Sequence, residues 1–183
     1  MNTSGVDAAL VATASAGILL ALLLAIGWYL SYTAVRLDRL HTRLDATDSA
    51  LDAQLLRRAQ TATDLAYSGD LDPASAALVV DAARETLEQS GTWTPARLDS
   101  ESALTQILGL VSGDLHPGLQ VDVEECAMRV RLARTFHNEA VATTRSVRLQ
   151  PVVRFLHLAG HTDLPEPVEF IDRWEGPDTA SAN

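Results

Sequence analysis

A chain of 183 residues with one cysteine and a formal net charge of -10 has room for one modest core and no second catalytic domain. Its carboxylate excess argues against a general nucleic-acid binder, because neutralising phosphates needs a basic footprint. All 14 basic residues are arginine, which carries no mechanism by itself, and Cys126 cannot close an internal disulfide. Its neighbours Ala127, Met128 and Val130 suit a buried, reduced thiol on a helix, with redox sensing the less favoured reading.

Between Asp7 and Arg36 there is no charged side chain, and the run from Ala8 to Val35 is dominated by Leu, Ile, Val, Ala and Gly. That run is long enough to cross a hydrocarbon core with some tilt. Its 11 Leu, Ile and Val residues contribute roughly -4 kcal/mol toward insertion. The competing reading is a cleaved signal peptide, which needs a basic n-region, and no Arg or Lys precedes Arg36; the triplet Ala14, Ser15, Ala16 also comes too early to follow an apolar h-region. An uncleaved, single-pass transmembrane anchor is therefore expected. Arg36, Arg39 and Arg43 follow the span and Trp28, Tyr29 and Tyr32 come just before them, which predicts the N-terminus outside and the rest in the cytoplasm. Thr13, Gly17, Ala21 and Ala25 form a stripe of small residues on which two spans could approach closely in a homo-oligomer, although an Ala-rich span also produces such stripes by chance.

From Val35 to Tyr67 there is no Gly or Pro, and leucines recur at 37, 40, 44, 51, 55 and 65, mostly at coiled-coil-like spacings. This predicts an amphipathic helix continuous with the anchor, extending about 50 Å from the membrane. The heptad positions of Leu37, Leu44, Leu51 and Leu65 include Arg58, and those of Leu40 include Gln54, so two polar side chains fall on the seam. Ser68 to Pro73 reads as a stop and restart, and a second helix is expected over 74–89 with Ala77, Leu78, Val80, Ala82 and Leu87 on its apolar face. After a loop over 90–95, Ser100 and Glu101 open a third helix carrying Leu104, Ile107, Leu108 and Val111. Asp122 caps a last helix from about Val123 to Leu149, with Val123, Cys126, Val130, Ala133, Ala140 and Val147 on one stripe. Pro151 should kink or restart it, and Gly160 should stop it. The chain beyond is acidic and Pro-rich, and its last residues should fray.

Residues 129–154 hold six Arg against one Glu, while residues 64–125 hold 12 acidic residues against two Arg. A basic last helix lying against acidic middle helices accounts for both; binding of that helix to anionic lipid or an acidic partner is the alternative.

Chemistry is sparsely signposted. His157 and His161 stand at i and i+4, with Asp163 just beyond and His137 one helix earlier, the one set that invites a metal. Gly160 places His161 past a helix end, so surface or capping roles are favoured for these histidines. There is no nucleophile elbow and no Gly-rich phosphate loop. Trp93 and Trp174 suit packing under loops.

The stretch Leu51-Asp52-Ala53-Gln54-Leu55-Leu56-Arg57-Arg58 resembles the signature that follows the anchor in LemA-family proteins. Ala133-Arg134-Thr135-Phe136-His137-Asn138-Glu139-Ala140-Val141 resembles that family's second signature, and Pro151 to Gly160 is similar to its closing Pro and Gly. The departures are His137 in place of the usual Tyr, no second Asn near Thr144 or Arg145, and a shorter middle, as in a divergent branch. The resemblance implies a single-pass protein with a long antiparallel helical domain, in a family with no established enzymatic activity or cofactor.

Both readings converge on Gln54 and Arg58 in the first helix and Arg134 and Asn138 in the last, as one structural polar cluster on the seam rather than a binding site. The expected protein is all-α: a short extracytoplasmic stretch 1–7, a transmembrane helix 8–35, a cytoplasmic helical bundle 36–163 and an acidic, partly disordered tail 164–183. Its expected role is a scaffold in the membrane that presents the bundle to protein partners, without catalysis, cofactor or nucleic acid. The rival is a metal-binding protein or enzyme using His137, His157, His161 and Asp163.

Overall fold

The computed structural model describes residues 3–150 and 164–173, with side chains from residue 15 onward. The described residues are all-α. A single helix, α1, runs unbroken over Thr3–Tyr67, followed by α2 (Pro73–Glu88), α3 (Pro95–Val111), a 3-10 turn (Ser112–Asp114) and α4 (Pro117–Arg148). No strand occurs among the described residues.

Three helices begin the same way, with a capping side chain followed by proline. The Asp72 carboxylate accepts from the Ala74 and Ser75 amides at 2.9 and 3.2 Å, Thr94 Oγ1 accepts from the Arg97 amide at 3.2 Å, and His116 Nδ1 accepts from the Gly118 amide at 3.3 Å. Proline costs nothing in the next position, where its missing N–H would have no partner and its fixed φ already suits the helix. This corrects two expected boundaries: α3 starts at Pro95 rather than Ser100, and α4 at Pro117 rather than Val123. α1 stops where Gly69 takes a φ of 87°, a left-handed backbone that glycine adopts without a Cβ penalty.

α4 packs along α1 in the antiparallel sense. Thr61 meets Cys126, Asp48 faces His137 and Leu37 packs on Val147, so one number rises as the other falls. α2 and α3 cover the end of α1 away from its apolar run, where Ala59, Ala62 and Leu65 of α1 are buried with Val79, Ala83, Leu104, Leu108 and Val123. Small residues on α1 there let α2 approach closely. The buried face of α2 is Val79, Ala82, Ala83 and Thr86, and Leu78 points outward, so the helix is rotated from the face expected for it. α4 buries Val123, Val130, Ala140 and Val147 as its stripe predicted, but also Ala127, His137, Val141 and Thr144.

Residues 164–173, the described part of the tail expected to be partly disordered, are a packed part of the fold, and residues 174–183 lie outside the described residues. Burial alternates along Val168, Glu169, Phe170, Ile171 and Asp172 with the period of an extended chain. Val168 and Phe170 enter the core formed by Leu51, Leu55 and Val130, beside Trp93, Leu98 and Ala133. This strap runs antiparallel to α4: the Pro165 carbonyl accepts from Arg145 Nη1 at 3.0 Å, and Asp172 pairs with Arg134. Arg134 and Arg145 of α4 thus meet the strap, and Arg129 pairs with Glu125 on α4 itself, where the segmental charges suggested α2 and α3.

Candidate functional site

Arg58 occupies the heptad step between Leu51 and Leu65 and is as buried as they are. A guanidinium in such a place must find its partners inside the protein. Arg58 Nη2 donates to Glu101 Oε2 at 2.5 Å and to the Glu101 carbonyl at 3.1 Å, and Nη1 donates to Thr105 Oγ1 at 2.7 Å. Burial pushes the Glu101 carboxyl above the usual carboxylate range, with Arg58 and then Arg97 opposing it. Burial likewise pulls the Arg58 guanidinium below its ordinary value against the attraction of Glu101. Its starting value is so high that it stays charged at neutral pH.

A second layer joins α1, the loop before α3 and α4. Arg97 is fully buried, donates to Asp52 and to the Gly91 carbonyl, and lies over the Trp93 ring at 3.9 Å. Trp93 Nε1 donates to Asp48 Oδ1 at 2.7 Å, and the same oxygen stands 3.7 Å from His137 Nδ1. Asp48 and Asp52 are one turn apart on α1, so a single face of that helix positions both the indole and the guanidinium. His137 is buried and its pKa is lowered by desolvation, with Asp48 opposing the shift.

The strap supplies the third layer. Asn138 clasps the Val168 backbone in both directions, donating to its carbonyl at 3.0 Å and accepting from its amide at 2.9 Å. Arg134 Nε donates to Asp172 Oδ2 at 2.9 Å. The Phe170 ring lies between the two arginines, with guanidinium carbons at 5.8 Å for Arg58 and 5.5 Å for Arg134.

The four residues expected in one polar cluster are therefore divided. Arg58 is buried on the seam but is satisfied by α3, while Arg134 and Asn138 hold the strap; Phe170 is what stands between these two sets. Gln54 is elsewhere, lining an apolar groove of about 360 Å³ on the opposite, open face of the α1/α4 pair with Ala46, Ala50, Leu132, Ala133 and Phe136, between Arg43 and Arg129. Asp48, Asp52, Trp93, Arg97 and Glu101 were not anticipated as a network. Asp48 and Asp52 at i and i+4 on a leucine-seamed helix were the available signal.

Cys126 is half-buried with its sulfur 3.3 Å from Thr61 Oγ1. Of the histidine set, His137 is committed to the Trp93 and Asp48 layer, and His157, His161 and Asp163 lie outside the described residues. No group of three or more His, Cys, Asp or Glu side chains suited to a metal occurs among the described residues. On the anchor stripe the Thr13 side chain lies outside them as well, while Gly17, Ala21 and Ala25 are exposed, with no neighbour near Gly17. Among the described residues one helix, the first, is long and apolar enough to cross a membrane. No protein-family model, characterised protein or solved structure matches the chain.

Proposed function

We propose that this chain is a membrane-anchored helical scaffold, with its N-terminus outside, its bundle in the cytoplasm, and a role in binding protein partners rather than in catalysis. The observation that carries the reading is the contrast between the two halves of α1. Ile18, Leu19, Leu20, Leu22, Leu23, Leu24 and Ile26 are all more than half exposed, whereas Leu51, Leu55 and Leu65 further along the same helix are fully buried. Apolar side chains in such a continuous exposed run need lipid around them. From Ser15 to Val35 the helix rises about 31 Å, close to the thickness of a hydrocarbon core.

Orientation rests on Arg36, Arg39 and Arg43 following the span directly. The LemA resemblance belongs to the same proposal, as a divergent branch. The occupant we assign to the groove beside Gln54 is an amphipathic helix of a partner protein with acidic residues at its ends. Alanines at 46, 50 and 133 admit a close backbone, Leu132 and Phe136 offer exposed apolar contact, and Arg43 and Arg129 bracket the groove. A second copy of this face would set arginine against arginine.

A reporter fused after Asn183 tests the topology: activity is expected only from the cytoplasmic form of the reporter, with the protein retained in membranes after alkaline carbonate. Activity from an extracytoplasmic reporter at that position overturns the orientation, and release by carbonate overturns the anchor.

A further inference from the structure

On the anchor reading above, we propose that the first two turns of α1 beyond the span form a binding site for the phosphate headgroup of an anionic phospholipid. At about 100° per residue, Tyr32, Arg36, Arg39 and Arg43 fall within an arc of about 60° on α1. Asp38 and Asp45 fall on the far side of the same turns. The charge is thus sorted by face, which orienting a span does not require, since arginines anywhere around the helix would serve.

That face is also concave. Tyr32, Val35, Arg36, Arg39, Leu40 and Arg43 line an open groove of about 320 Å³. Among the described residues Arg36 and Arg39 have no ion-pair partner, and Arg43 reaches Glu139 only at 4.0 Å, with both side chains more than half exposed. Water and phosphate therefore compete for these guanidinium groups with little internal opposition. Four other arginines are closely paired: Arg58 with Glu101, Arg97 with Asp52, Arg134 with Asp172 and Arg129 with Glu125.

Depth matches the ligand. Trp28, Tyr29 and Tyr32 are exposed on the helix just before the arginines, where amphipathic rings mark the headgroup level. Arg36 to Arg43 rises about 10 Å, about one Debye length, so all three charges act on the lipid surface. Guanidinium forks bind phosphate oxygens in pairs, the Tyr32 hydroxyl can add a donor, and exposed Val35 lies beside the path of an acyl chain.

The test places the full chain in nanodiscs of phosphatidylcholine with a minor share of phosphatidylglycerol, then counts lipids retained on the released protein by native mass spectrometry. The same lipids in both leaflets keep topology out of the readout. Phosphatidylglycerol is expected to be enriched roughly tenfold over its share, and Arg36→Gln with Arg39→Gln should bring that close to unity. Arg57→Gln with Arg84→Gln removes equal charge at a distance, at two exposed arginines outside either groove, and should leave the enrichment intact. Equal loss in the distal variant reduces the effect to bulk charge and overturns the site. Displacement of the lipid by excess inorganic phosphate overturns the lipid assignment in favour of a free phosphate. An embedded chain without enrichment overturns the headgroup site alone, whereas a chain that never enters the discs overturns the anchor with it.

Discussion

Arg58 shows what one charged residue on an apolar seam commits a protein to. Glu101 and Thr105 exist in their present places to satisfy it, and its Nε has no partner among the described residues. Truncating one member strands the other, so Arg58→Ala should cost roughly 3 to 5 kcal/mol, read as a fall in the urea midpoint of the full chain in detergent. Replacing both members, Arg58→Met with Glu101→Leu, should recover much of that loss, because no unpaired charge then remains. A double variant as unstable as the two single ones added together would show that the pair is not a closed unit. His137 sets a pH dependence. Its folded pKa lies below the ordinary histidine value, so above that value both states are neutral and the stability is fully present. As the pH falls through the ordinary value the unfolded chain takes up the proton first, and stability declines until the folded pKa is passed. Thermal midpoints from pH 7.5 to 5 should fall in the wild type more than in His137→Phe, which keeps a ring against Trp93 and has nothing to protonate; parallel curves would exclude His137 as the source.

At the scale of elements, the strap matters more than its lack of regular structure suggests. Val168 and Phe170 complete a core that α1 and α4 leave open, and two hydrogen bonds to Asn138 and one from the Ile171 amide to Ser102 Oγ at 3.0 Å set its register. Asn138→Ala removes both bonds to Val168 and leaves backbone groups unsatisfied in a half-buried place, a loss of about 1 to 3 kcal/mol. Hydrogen exchange should register this locally: the Val168 amide loses protection while amides in α2, at the far end of the bundle, keep theirs. Equal loss in α2 would mean that strap and bundle open together. α2 teaches the complementary point, since its alanines rather than its leucine at 78 face α1. Close approach of backbones selected the small residues for the inside.

For the whole molecule, the organising fact is that one helix carries both an exposed apolar run and a buried seam without a break. Between residues 3 and 67 α1 has no proline, and Gly17 and Gly27 have open space around them. An unbroken helix of this kind ties the rotation of the bundle to that of the apolar run, so under the proposed anchoring the groove between Arg43 and Arg129 and the arginines at 36 and 39 would hold fixed bearings relative to a bilayer. Antiparallel pairing brings the end of α4 at Val147 back to Leu37, close to where the apolar run of α1 ends. The strap then leads away from that end along α4, which closes the bundle with its two longest helices as a common spine.

Periodicity and composition alone determined the all-helical class, the apolar N-terminal run and the continuity of α1, because each of these depends on local spacing along one chain. The depth of Arg58 was legible for the same reason: its place in the heptad between Leu51 and Leu65 already put it on the seam. The partner of Arg58 was not legible, since α3 carries Asp99 as well as Glu101 and only the packing of α3 across α1 selects one of them. Nor was the strap, whose prolines and acidic residues read as solvated chain until Asn138 and Arg134 are seen to hold it. Helix starts at Pro95 and Pro117 were present in the sequence as cap-and-proline pairs, but a weighting toward apolar periodicity passed over them. What tertiary structure decided was which charges meet. Coulomb attraction and desolvation depend on distance and burial, and those are set by how helices far apart in sequence come to lie side by side.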